Sequence, residues 1–387
     1  MQPIKPGIYL TAMLAAAAVG LFGFSLVPRF PALFRPAGSH ATGTPANPPN
    51  PAPTSPAPLP GVATKADATK HLHSVLASLK AATSAADSRK ILADLHAYLT
   101  SLPPALAAAI IADFLADPSQ NAPTRIEFAI GQAGVLTGHP SLRVALLDWL
   151  GQIDPRQAGE VARQILATPT DADEWAVCLR NCARATADSN DYLRAKTEEL
   201  IGNPKWRANP SVGFFEAFDV LVHTRATAST PLLSSLIQQK DRRDLAHAGF
   251  LTLDRLVQSD PAAVMTQLAA NRPLQQSRPE MVANMLARAD LRDAPQQQLV
   301  RSYLLDPARS ATELAAFASV YPSANFAISN NLLTANPSLA RDELAARDAA
   351  ALGIITTWLA DPAFASIKPH LTVIHNRLAT FVGQSGK

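Results

Sequence analysis

From residue 64 to residue 382 the apolar positions recur at helical spacing. Leu142, Ala145, Leu146, Trp149 and Leu150 fall at i, i+3, i+4, i+7 and i+8, one stripe of an amphipathic helix. Pro140 stands before this stripe and Asp154-Pro155 after it. Ala158, Val161, Ala162, Ile165 and Leu166 repeat the spacing, and Leu245, Gly249, Thr252, Leu253 and Leu256 repeat it again. Helix starts are predicted at three capping boxes: Thr124 with Glu127, Ser277 with Glu280, and Ser310 with Glu313. In each, a hydroxyl and a carboxylate can satisfy amides that a first turn leaves open.

Prolines fall between the stripes, at Pro118, Pro155, Pro169, Pro204, Pro261, Pro307, Pro337 and Pro362. Five of them follow aspartate (Asp117, Asp154, Asp260, Asp306 and Asp361), a dipeptide that turns the chain and opens a helix. The sequence has no Asn-Gly or Asp-Gly hairpin turn and no alternating β-branched run, and its many alanines favour helix. The expected fold is all-α, with roughly 14 to 18 short antiparallel helices of about 11 to 16 residues. The turns recur unevenly, about every 37 to 57 residues, a length that suits helical hairpins. That spacing predicts a degenerate HEAT-like α-solenoid or multi-helix superhelix.

The pattern changes at the N-terminus. After a short tail, 1–7, the segment 8–27 (Ile8 to Val27) carries no charge and no proline. Its twenty residues would rise about 30 Å as a helix, the thickness of a bilayer's hydrocarbon core. A cleaved signal peptide is the competing reading, with a cut among Ala15 to Ala18. The apolar run continues nine residues past Ala18, which favours an uncleaved anchor. Lys5 and the amino terminus nearly balance Arg29 and Arg35 across the segment. A short basic tail before an apolar run predicts export, with the bulk of the chain periplasmic or otherwise extracytoplasmic. Ala12, Ala16 and Gly20 give the helix one small face, a surface on which two such helices could self-associate.

Residues 28–64 form a linker, in which Pro36 to Thr64 holds nine prolines and no aromatic residue. Such a stretch has too little apolar surface to offset its ordering entropy, and its prolines keep it extended. It reads as a spacer before a helical domain at 65–382, with a flexible tail at 383–387.

The net charge is +3 over 387 residues, with both signs interspersed and only 6% aromatic residues. No basic run tracks a phosphate backbone, so nucleic acid is excluded as the expected partner. The two cysteines, Cys178 and Cys182, share a stripe with Trp175 and Leu179. That placement predicts two buried core thiols. An intrahelical disulfide is the second reading, since the i, i+4 spacing lies within reach but the Cβ directions are poor. No histidine lies within thirty residues of the pair, so they do not read as metal ligands.

None of the common nucleophile-elbow, phosphate-loop, dinucleotide or zinc-protease motifs occurs. The strongest polar cluster is Glu216, Asp219 and His223, at i, i+3 and i+7 opposite Phe214, Phe215, Phe218, Leu221 and Val222. Two carboxylates beside a histidine suit proton transfer or metal binding. The simpler expectation is the solvated face of an amphipathic helix. His71, His73, Arg278 and Arg288 are likewise expected at the surface.

No cofactor is predicted. The expected function is a membrane-tethered helical scaffold or protein-interaction module whose partner is another envelope protein. One alternative is an envelope enzyme, for instance a glycan-cleaving one, with a site assembled from distant helices. The other is a structural subunit of a membrane complex.

Overall fold

The computed structural model describes residues 64–185, 188–324, 331–335 and 339–385. The apolar segment 8–27 and the linker up to residue 63 lie outside them. No single helix among the described residues is long and apolar enough to cross a membrane.

Among the described residues the domain is all-α apart from one small hairpin. It opens with α1 (Lys65–Ala81), α2 (Ala85–Ser101) and α3 (Pro104–Leu115). An irregular stretch then carries β1 (Ala129–Ile130) and β2 (Leu136–Gly138), which pair antiparallel with a shift of register. α4 (Leu142–Ile153), α5 (Pro155–Ile165), α6 (Ala172–Arg184), α7 (Asn190–Gly202) and α8 (Pro204–Ala208) follow. Next come α9 (Val212–Glu216), α10 (Asp219–His223), α11 (Thr230–Ile237), α12 (Arg243–Ser259) and α13 (Pro261–Ala270). After α14 (Arg272–Ser277), α15 (Pro279–Leu286), α16 (Ala294–Leu305) and α17 (Ala311–Val320), the series ends in α18 (Arg341–Ala360) and α19 (Lys368–Ser385).

Sequence neighbours pack on one another, most closely α5 with α6, α11 with α12, and α18 with α19. The predicted stripes face the core: Leu142, Ala145, Leu146, Leu150, Ala158, Ala162, Leu166, Leu245, Leu253 and Leu256 are all fully buried. The prolines act as expected where they occupy a first helical position. Asp154 and Asp260 each accept an amide hydrogen bond just beyond the following proline, from Gln157 and Ala263. Helix lengths vary more than expected, from the five residues of α8, α9 and α10 to the twenty of α18.

Of the three capping boxes, one forms. Ser310 accepts from the Glu313 amide at 3.2 Å and Glu313 accepts from the Ser310 amide at 2.8 Å. Thr124 opens no helix: Arg125 takes a left-handed backbone, φ 61°, and the Thr124 hydroxyl donates to the His139 carbonyl. Ser277 ends α14 and its hydroxyl donates back to the Pro273 carbonyl at 2.7 Å. There Pro279 takes the first position of α15 and makes Arg278 the cap. A four-residue pattern is too short to specify a helix start against such neighbours.

The hairpin is the element the periodicity misses. It turns through Ala133 and Gly134, with φ 53° and 70°, and has no Asn-Gly or Asp-Gly signature. Gly134 is required twice over: its φ suits glycine, and a Cβ there would lie 2.0 Å from the Leu332 carbonyl oxygen. The segment 331–335 thus returns across more than a hundred residues of sequence, and the Leu333 amide donates to Asp219 at 2.7 Å.

Arg278 and Arg288, expected at the surface, brace helices instead. Arg278 donates to the Ile237 carbonyl at 2.9 Å and the Gln239 carbonyl at 3.0 Å, tying α15 to the end of α11. Arg288 pairs with the buried Asp254 of α12. His71 and His73 pack on rings, 4.2 Å from Tyr98 and 5.9 Å from Phe114, so aromatic contact adds to their position at the edge of the stripe.

A candidate binding cleft over Trp149

A cleft of about 310 Å³ opens between α2, the hairpin and α4. One face of α2 supplies Arg89, Leu92, Ala93 and His96, at i, i+3, i+4 and i+7. That face is presented because Leu92, Leu95 and Leu99 bury the adjoining stripe, and Ser84 caps the helix start by accepting from the Asp87 amide. The strand β2 and the residue after it bring Leu136, Thr137 and His139. From α4 come Asp148, Trp149 and Gln152, with Trp149 as the floor. The rings of His96 and His139 lie 4.9 Å and 5.7 Å from that of Trp149.

Asp148 organises the wall. Its carboxylate accepts from Arg180 of α6 at 2.6 Å, from the Leu136 amide at 3.3 Å and from Gln152 at 3.1 Å, and meets His139 Nε2 at 3.2 Å. Burial alone would raise the Asp148 carboxyl. The His139 hydrogen bond and the Arg180 charge outweigh it and hold the group below the ordinary aspartate value. An ionised carboxylate can only accept, so the shared hydrogen sits on His139 Nε2 and Nδ1 is left for another contact. Arg180 is fully buried and also donates to the Gly134 carbonyl at 2.6 Å, which fastens the hairpin tip to the same carboxylate.

The arrangement offers an oriented imidazole, an aromatic floor and a guanidinium. Among the described residues Asp148 is the one acidic side chain lining the cleft. Among the described residues no group of three or more His, Cys, Asp or Glu side chains is placed to hold a metal ion.

The cluster at Glu216, Asp219 and His223 comes out differently from one continuous solvated face. Bonds of i to i+3 type at Phe218, Val220 and Leu221 tighten the chain between α9 and α10 and rotate the downstream residues. His223 is exposed, whereas Asp219 is buried and accepts from Arg255 at 2.8 Å and from the Leu333 and Thr334 amides at 2.7 Å and 3.0 Å. Glu216 is half-buried, and no hydrogen bond or ion pair holds its carboxyl among the described residues. Burial, helped by the negative Asp219, pushes it up to about 7. Cys178 and Cys182 are free thiols, both fully buried with Trp175 and Leu179. Burial raises both, Cys182 to about 12, so neither thiol is a nucleophile near neutrality.

Periodicity did not single out His139, Asp148 and Arg180. The signal for Asp148 is a charge inside the apolar run Leu146-Leu147-Asp148-Trp149-Leu150, that for Arg180 a charge between the two buried cysteines, and His139 has none. A charge there must be buried and partnered. The partner's identity depends on which helices meet. No known protein family matches the chain, and neither a curated protein nor a solved structure matches it.

Proposed function

We propose that the chain is a protein-interaction module of the cell envelope, held to the membrane through residues 8–27, with the cleft over Trp149 as its recognition site. The observation that carries this reading is the division of labour in the cleft. Asp148 is occupied with holding Arg180, the hairpin and His139. The groups left to face an incoming molecule are Arg89, His96, the free edge of His139 and the Trp149 floor, a set suited to binding. The finer fold reading is a degenerate HEAT-like α-solenoid. Consecutive packing of short helices supports it, and the return of residues 331–335 to α10 is a departure from strict nearest-neighbour stacking.

Mild crosslinking of the full-length protein in its native membranes, followed by affinity purification, tests the reading. Wild type should recover a defined envelope protein, and the double change Arg89→Glu with His96→Ala should lose it at equal protein level. Equal recovery by both forms would remove the cleft from consideration.

A hydrolytic enzyme is the second reading, favoured by the His139–Asp148 pair, since a carboxylate-oriented imidazole is a general base. Glycan cleavage by two carboxyl groups is poorly supported here, because that chemistry needs a second carboxylate across the cleft. Release of soluble fragments from isolated cell wall by the full-length protein, abolished in His139→Ala, would favour the enzyme.

A further inference from the structure

We propose that the cleft receives the carboxyl-terminal residue of a partner polypeptide, with its α-carboxylate on Arg89 and an apolar side chain on Trp149. The inference rests on the interaction-module reading and names the partner's chemistry. Three observations carry it.

The first is charge. The one acid lining the cleft among the described residues, Asp148, is neutralised from behind by the buried Arg180 at 2.6 Å. Arg89 stands on the cleft wall, exposed and with no ion pair or hydrogen bond among the described residues. The uncompensated charge facing the cleft is therefore positive, and a guanidinium takes a carboxylate in a two-point contact. The second is shape. A volume of about 310 Å³ lies at the small end of ligand pockets. It admits the end of a chain better than an extended surface. The third is the lining. Leu92, Ile126 and Leu136 flank Trp149, so the space beside the guanidinium suits an apolar side chain. His139, with Nε2 engaged by Asp148, keeps its other nitrogen for a polar group of the same residue.

The test uses full-length protein in detergent micelles and fluorescence anisotropy. The probes are N-terminally labelled Gly-Ser-Gly-Ser-Ala-Phe and its counterparts ending in Leu or Asp, each as free acid and as C-terminal amide. The acids ending in Phe or Leu should bind, and their amides should bind roughly tenfold more weakly or worse. Arg89→Ala should erase the difference between acid and amide, and Arg89→Lys should retain part of it. Arg89 is exposed, and unchanged circular dichroism would show that the variants fold. Equal binding of acid and amide, a preference that survives Arg89→Ala, or equal binding of the Asp-ending amide overturns the proposal. So does no binding by any peptide. If no peptide binds while crosslinked capture still depends on Arg89 and His96, the carboxylate inference falls and the module reading stands. If capture is also indifferent to those residues, both fall.

Discussion

Arg143 and Glu174 lie 3.0 Å apart with side chains 2% and 3% exposed. Arg143 also donates to the carbonyls of Leu115 and Asp117 at 3.1 Å and 3.0 Å, closing the open end of α3. Removing one member of such a pair leaves a buried charge without its counterpart. Glu174→Gln or Arg143→Met should each cost about 3–5 kcal/mol in urea unfolding. A loss below about 1 kcal/mol would mean that water reaches the pair. Glu216 gives a pH effect of defined sign. Its folded value is raised from 4.5 to about 7, so the folded state holds the proton more tightly than the unfolded chain. The resulting stabilisation is complete below the unfolded value and is lost as pH rises through about 7. The difference amounts to roughly 3 kcal/mol. Glu216→Gln should flatten the stability profile between about pH 4.5 and pH 7, the window between the two values. A wild-type profile already flat there would contradict the burial argument. Residue identity was readable at Asp148 and Arg180 only as misplaced charge, because a buried ion pair is a property of two helices.

The hairpin and the returning segment 331–335 are held by a few polar contacts. Asp219 receives the Leu333 and Thr334 amides and the Arg255 guanidinium, which also donates to the Thr334 hydroxyl. Asp219→Ala should therefore release this segment locally, with faster amide hydrogen exchange at Leu333 and Thr334 and little change in α4 or α6. Unaltered exchange at those amides would show that Leu332, fully buried, anchors the segment by apolar contact instead. At α17 the complete capping box gives a simpler expectation. Ser310→Ala should destabilise by about 1 kcal/mol, read from the thermal midpoint. Helix elements were legible because a stripe such as Leu142 to Leu150 and a proline at the first helical position are local signals. The hairpin was not, since its turn at Ala133-Gly134 is held by Arg180 and Arg184, which donate to the Gly134 and Ala133 carbonyls and are remote in sequence.

At the scale of the whole chain, the proposed membrane anchor at 8–27 and the proposed spacer after it would set where the domain works, and the proposed recognition cleft over Trp149 would set what it meets. Among the described residues, hydrophobic spacing by itself determined most of the helices and the faces that stripes such as Leu142 to Leu150 bury, because burial periodicity is written into each segment independently. Composition determined that residues 36–64 lack the apolar surface for a core. Tertiary structure decided the rest. It broke the Glu216 to His223 face between α9 and α10, left the Glu216 carboxyl without a hydrogen bond or ion pair among the described residues and committed Asp219 to the returning segment. It also brought Arg89, His139 and Asp148 from three separate stretches to one cleft and set the buried Arg180 behind Asp148. A charge buried by packing takes its chemistry from the groups packed against it, and sequence order does not record which groups those are.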